Sequence, residues 1–308
     1  MKNYIKIARP DHWVKNAFIL PGVAIAILLT DFTFTGDVIL KFVIGFMATC
    51  FIASANYVIN EWLDAEFDKF HPTKKNRPVV SENMKLSLVL VEYAVLIIAG
   101  LGLAFLVNRP FLLMEVWLLI MGVLYNVKPI RTKDIPYLDV LSESVNNMIR
   151  LLLGWFIITE AYQPPSSILI GYWFAGAFLM ATKRFAEYRM IGDPSVAGLY
   201  RKSFAHYTET TLLVSSFFYA MCATFFIGVF MIKYRMEYII AMPFIFFLFC
   251  MYLYIAFKPD SAVQKPEKLY KEKSLLVYIA FLVIILLLLT LIDIPMPEYW
   301  SNPTLFDI

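Results

Sequence analysis

Long apolar blocks alternate along the chain with short polar breaks. Most blocks are about as long as a bilayer is thick. A spanning helix needs roughly 20 mainly apolar residues. Read between the breaks, the sequence predicts nine such helices, at about 17–30, 38–63, 86–107, 111–127, 137–159, 167–188, 207–232, 238–257 and 274–292. The second is long and ends in acids, so its end is expected to project beyond the hydrocarbon. The fourth is short, and the fifth carries several polar residues.

The breaks provide a check on this count, because cytoplasmic loops collect Lys and Arg. With the N-terminus inside, the loops on that side hold 22 of the 27 Lys and Arg. They include Lys2, Lys6, Arg9 and Lys15, then Lys69 to Lys85, Lys128 to Lys133, Lys183 to Lys202, and Lys258, Lys265, Lys268, Lys271 and Lys273. The opposite loops hold only Arg109, Lys233 and Arg235, while Lys41 and Arg150 fall within helices. The expected fold is therefore an all-α polytopic membrane bundle of nine transmembrane helices. Its loop 31–37 and the tail after Asp293 face outward. Residues 1–308 read as a single integral membrane domain with no appended soluble part. Residues 1–16 are expected to lie along the membrane surface, with Trp13 at the interface and the basic residues toward headgroups.

Composition agrees. The chain is 60% hydrophobic and 17% charged, with mean hydropathy +0.67, whereas a soluble domain is nearer half apolar and a quarter charged. No cleavable signal peptide is visible. Cys50, Cys222 and Cys250 all sit in apolar stretches without a C-x-x-C pair. They read as small buried residues rather than disulfide or metal ligands. His12, His71 and His206 are too scattered for a zinc site. No nucleic-acid partner is expected, and the oligomeric state is left open.

Three polar clusters carry candidate chemistry. Asn60, Asp64 and Asp68 are spaced i, i+4, i+8 at the cytoplasmic end of the second helix, with Glu61 near the same face. They form one stripe on a helix. Aligned carboxylates repel unless a cation lies between them. Mg2+ suits them, since it takes hard oxygen ligands and bridges phosphates. Immediately after come His71, Lys74, Lys75 and Arg77, which would neutralise phosphate oxygens that the metal does not reach. The alternative is a solvated helix end beside an ordinary positive-inside loop.

The second cluster is Lys128, Arg131 and Lys133, followed by Asp139, Glu143, Asn146, Asn147 and Arg150. Arg150 lies about 16 Å deeper than Asp139 at 1.5 Å per residue. A cation at that depth is costly and is a functional candidate, against the plainer reading of interhelical glue. The third is Lys183, Arg184 and Glu187, with Arg201, Lys202 and Ser203 after a loop. Three basic-acidic clusters converging on one face form an active-site layout for a phosphorylated, metal-dependent substrate.

With these motifs in hand, the chain resembles the UbiA superfamily of intramembrane prenyltransferases. Asn60, Asp64 and Asp68 match that family's N-x-x-x-D-x-x-x-D, and Asp139 with Glu143 looks like its second acidic motif. The resemblance is closer to the decaprenyl-phosphate phosphoribosyltransferase branch. It rests on Arg9, Pro10, Trp13, Lys15 and Asn16, on His71, Pro72, Lys74, Arg77 and Pro78, and on Lys183, Arg184 and Glu187. It runs from Arg9 to about residue 230. Glu61 stands where the branch has Asp, and the loop from Tyr125 to Asp139 is about three residues longer.

The resemblance implies Mg2+-dependent transfer of 5-phosphoribose from phosphoribosyl diphosphate to a polyprenyl phosphate in the cytoplasmic membrane, with the active site facing the cytoplasm. The implied metal ligands are Asn60, Glu61, Asp64 and Asp68. Asp139 and Glu187 join Asp64 and Asp68 as catalytic residues. Lys15, Asn16, Asn60, Lys74, Arg77, Lys133, Arg150, Lys183 and Arg184 would bind substrate. Lys74 and Arg77 would take the sugar phosphate, and Lys183, Arg184 or Arg150 the lipid phosphate. Two other readings remain: an aromatic-acceptor prenyltransferase of the same fold, and a transporter or lipid carrier without chemistry. Acids stacked at one face argue against a carrier, whose site is expected near the midplane.

Overall fold

The computed structural model describes residues 2–71, 74–82, 84–259, 261–264, 266–292 and 294. The expectations for Pro72, Lys265 and the tail after Asp293 lie outside the described residues, as do those for the side chains of Lys2 and Lys268. The long helices are α1 (Leu20–Leu29), α2 (Gly36–Asp68), α3 (Leu86–Val107), α4 (Arg109–Asn126), α5 (Leu138–Ile158), α6 (Ser166–Ile191), α7 (Glu209–Tyr234), α8 (Met242–Ala256) and α9 (Lys273–Leu291). No strand occurs among the described residues.

Seven stretches are long and apolar enough to cross a membrane: α1 together with the helical residues before it, α2, α3, α4, α7, α8 with the turn before it, and α9. This is an integral membrane protein. The expected count of nine is met by seven on length and composition. α5 and α6 have the length, 21 and 26 residues, but their faces carry the charged residues of the second and third clusters.

The local sequence sets the ends of these elements. α2 has 33 residues and is about 50 Å long at 1.5 Å per residue, against about 30 Å of hydrocarbon. Asn60, Asp64 and Asp68 lie in its last three turns. α6 starts behind Pro165 and stops at Gly192, whose φ of 72° is the left-handed conformation that closes helices.

α5 is the centre of the bundle and packs on α1, α4 and α6. Every residue from Ile149 to Ile157 is buried, as in a helix enclosed on all sides. Close approach to α1 depends on two glycines. A Cβ at Gly154 would lie 2.1 Å from the Ile19 carbonyl oxygen, and one at Gly22 would lie 2.0 Å from that of Leu151.

One expectation is corrected, that for the cysteines. The N-terminal segment forms a short helix, Lys2–Ile7, and a 3-10 helix, Pro10–Ile19. It packs on α2 and α5. Trp13 Nε1 donates to Ser54 Oγ at 2.9 Å, because an indole N–H needs a partner when covered. Of the cysteines, only Cys50 is buried, and Cys250 is exposed on the helix surface. An apolar window does not reveal which face of a helix meets lipid.

Candidate active site

The polar ends of α2, α5 and α6 meet around a cavity of about 1040 Å³. Its wall includes the N-terminal segment, through Arg9, His12 and Lys15, and the loop after α2, through His71, Lys74 and Arg77. The cavity continues between apolar side chains of α6, α8 and α9, among them Leu179, Leu248, Phe249 and Ile279.

The α2 stripe lines this wall. Asn60 Nδ2 donates to Asn126 Oδ1 at 2.5 Å, which leaves the Asn60 carbonyl oxygen for another partner. Asp64 Oδ1 accepts from Arg131 Nη2 at 2.8 Å and from Lys133 Nζ. Lys133 Nζ also donates to Asn126 Oδ1 at 2.7 Å. Burial pushes the Lys133 amine down to about 8, against the pull of Asp64. Asp68 Oδ2 accepts from Arg77 Nη1 at 2.6 Å.

Across the cavity, Glu187 collects donors from three elements. Its Oε1 accepts from Lys74 Nζ at 2.6 Å and from the Tyr200 hydroxyl at 3.1 Å, and its Oε2 from Arg184 Nη1 at 3.5 Å. His71 Nε2 is 3.3 Å from Oε1. The Lys74 backbone N–H donates to His71 Nδ1 at 3.2 Å, so the ring proton lies on Nε2 and faces Glu187. Burial pushes the His71 pKa below its ordinary value. For Lys74, burial opposes the charge, but Glu187, Tyr200 and Asp68 together outweigh it and the pKa rises.

Asp139 lies behind this layer, fully buried. It accepts from Tyr207 at 2.7 Å, Ser203 at 3.2 Å and Arg184 Nε at 3.3 Å. Arg150 is deeper. Its Nε donates to Asn16 Oδ1 at 3.1 Å and its Nη1 to the Asn146 carbonyl at 3.2 Å. Asn16 Nδ2 in turn reaches Cys50 Sγ at 3.2 Å.

Of the residues singled out on the sequence, Lys15, Asn60, Asp64, Asp68, Lys74, Arg77, Arg150, Lys183, Arg184 and Glu187 line the cavity. Asn16, Glu61, Lys133 and Asp139 stand behind that lining. Glu61, grouped on the sequence with the metal ligands, is instead covered by Arg77 Nε at 3.5 Å and Arg9 Nε at 3.7 Å. Tyr125 and Tyr200 escaped the sequence reading. Tyr125 accepts from Arg184 at 2.9 Å and from Arg201 at 3.3 Å. Nothing sets these two apart from the other tyrosines until the fold is known. Arg131 and Arg201 belonged to recognised basic groups but not to the chosen residues.

The donor chemistry fits a divalent cation brought in with phosphate. Asn60, Asp64 and Asp68 offer hard oxygens on one cavity wall. Among the described residues, no three His, Cys, Asp or Glu side chains converge into a ready-made metal site. Mg2+ commonly binds through one or two carboxylates plus substrate phosphates, rather than in an all-protein cage.

The fold and cavity define a membrane-embedded helical protein whose charged cavity continues between apolar side chains of its helices. The UbiA prenyltransferase family model matches residues 18–285, and the chain belongs to that family. A decaprenyl-phosphate phosphoribosyltransferase from Corynebacterium glutamicum is 29% identical over 233 residues, covering 71% of this chain and 63% of that relative's length. The protein of the same description from Mycobacterium tuberculosis is 27% identical over 221 residues, 68% of this chain and 67% of its own length. A solved UbiA homolog from Archaeoglobus fulgidus, bound to GPP and Mg2+, superposes with a TM-score of 0.69 at 19% identity, covering 92% of this chain and 99% of that one.

Proposed function

We propose that the protein transfers 5-phosphoribose from phosphoribosyl diphosphate to a polyprenyl phosphate and releases diphosphate. The observation that carries this reading is the charge of the cavity wall. Among the described residues, nine Lys and Arg line it against four Asp and Glu. A prenyl diphosphate has one polar end and needs few of those cations. Phosphoribosyl diphosphate has two anionic ends, and a polyprenyl phosphate adds a third. The names of the corynebacterial and mycobacterial relatives support the same reaction.

In this reading Asn60, Asp64 and Asp68 would hold Mg2+, which would offset diphosphate charge when bound. Lys74 and Arg77 grip the 5-phosphate end. The C1–O bond to diphosphate breaks, positive charge develops on the anomeric carbon, and an oxygen of the lipid phosphate bonds there. That oxygen is already anionic, so no strong general base is required. Asp139 and Glu187 act by orienting Arg184, Lys74 and Tyr200. The whole chain, 1–308, serves as one transferase domain in the cytoplasmic membrane with this cavity facing the cytoplasm.

Mass spectrometry of the product tests the reading. Purified protein with Mg2+, phosphoribosyl diphosphate and a polyprenyl phosphate is expected to yield phosphoribosylated lipid and diphosphate. A prenylated aromatic acid from a prenyl diphosphate, with no phosphoribosylated lipid, would favour the aromatic-acceptor reading instead.

A further inference from the structure

The sequence offers Lys183, Arg184 and Arg150 equally as anchors for the lipid's phosphate, and the structure separates them. Arg184 is spent on the protein, between Asp139, Glu187 and the Tyr125 hydroxyl. Lys74 and Arg77, paired with Glu187 and Asp68, belong to the sugar-phosphate end in the proposed reaction. Lys183 differs. It lines the cavity, and among the described residues no carboxylate lies within 4.0 Å of its ammonium. The charge acting on it most strongly is another cation, Lys15 of the N-terminal segment. Two cations sharing one cavity wall favour an anion between them.

Position distinguishes Lys183 from Arg150, which also has no carboxylate that close. One face of α6 runs the length of the cavity through Gly176, Leu179, Met180, Lys183, Arg184 and Glu187. It is uncharged up to Met180 and charged from Lys183 onward. Below the boundary, Leu179 continues into the apolar walls supplied by Leu248 and Phe249 of α8 and Ile279 of α9. Above it, Glu187 is one helical turn away, about 6 Å along the axis, and holds Lys74. Arg150 is on α5, about 16 Å deeper than Asp139, which puts it far from that donor end.

We infer that Lys183 is the anchor for the phosphate monoester of a long apolar chain, with the chain lying along Leu179, Phe249 and Ile279. This rests on the proposed transfer to a polyprenyl phosphate and assigns its acceptor subsite. An amphiphile places its charged group where the wall changes from apolar to polar, and Lys183 is the first cation on that wall.

The test is binding by the full-length protein in detergent, measured calorimetrically with farnesyl monophosphate and with farnesol. Wild type is expected to prefer the monophosphate. Lys183→Gln should lose that preference by about tenfold or more, with farnesol affinity unchanged. Lys183→Arg keeps the charge and should retain most of it, which separates lost charge from lost folding. Arg150→Gln should stay within about twofold of wild type. An unchanged preference in Lys183→Gln, or a loss carried by Arg150→Gln instead, overturns the assignment while the proposed reaction stands. A wild-type protein that binds both ligands equally removes the assignment and the proposed acceptor together.

Discussion

Lys74 and Glu187 are 113 residues apart in sequence, and Lys74 Nζ donates to Glu187 Oε1 at 2.6 Å. This contact ties the loop after α2 to the end of α6 and closes that end of the cavity. Glu187 also serves Tyr200, Arg184 and His71, so its loss leaves several buried donors unmatched. Glu187→Gln is expected to destabilise the protein by about 3 kcal/mol, as when one partner leaves a buried pair. The measurement is the thermal midpoint in detergent. Glu187→Gln combined with Lys74→Met should recover part of the loss, because the stranded ammonium goes too.

Asp64 and Asp68 line the cavity one turn apart. Under the proposed function, Asp64→Asn and Asp68→Asn should each abolish turnover in protein that still folds, with lowered thermal midpoints because Arg131, Lys133 and Arg77 lose a charged partner. Chelator should abolish wild-type activity and added Mg2+ restore it. Near wild-type rates in either variant would make the stripe structural. Glu61→Gln should be milder, since Arg9 and Arg77 cover its carboxylate.

Arg77 pairs with Asp68 at 2.6 Å on the side of the cavity away from the apolar walls. Arg77→Ala is expected to raise the KM for phosphoribosyl diphosphate by about tenfold or more, equivalent to at least one charge-assisted contact. The KM for the lipid should change far less. Equal effects on both would place Arg77 in a general electrostatic role.

Gly154 meets the Ile19 carbonyl at a distance no Cβ tolerates, 2.1 Å. Gly154→Val must push α1 off α5 and should cost at least about 1–3 kcal/mol, as for overpacking. Gly36 has nothing within 4 Å, so Gly36→Ala should leave the thermal midpoint near wild type. Equal midpoints for the two variants would show that the helices part without penalty.

Lys75 is exposed beside the cavity mouth. In a background lacking the native cysteines, Lys75→Cys should resist an impermeant thiol reagent on intact cells and react after permeabilisation. Thr33→Cys, in the exposed turn between α1 and α2, should react on intact cells. The opposite pattern would reverse the proposed orientation.

The sequence showed the apolar blocks and the stripe on α2 clearly, because both follow fixed helical spacing. It also showed which loops are basic. It did not show how charge is shared once those loops meet. Glu61 and Asp64 lie three residues apart, yet Asp64 lines the cavity while Glu61 lies under Arg9 and Arg77. That difference is made by side chains arriving from other helices. The N-terminal segment is a similar case. Its basic residues suit either headgroups or a cavity, and only packing against α2 and α5 decides between them. Tyr125 and Tyr200 gain their places from Arg184 and Lys74, partners that no local pattern links to them.

The contact between Asn16 and Arg150 spans 134 residues, and this fixes an order of events during biosynthesis. The N-terminal segment leaves the ribosome first, but its partner on α5 emerges only after four further helices have been made. At 5–20 residues per second the interval is on the order of ten seconds. Throughout it, Arg9, His12 and Lys15 have no finished cavity to face, and the newborn segment has only its contacts with α1 and α2 to hold it. The inner wall is therefore among the earliest parts synthesised and among the later ones assembled.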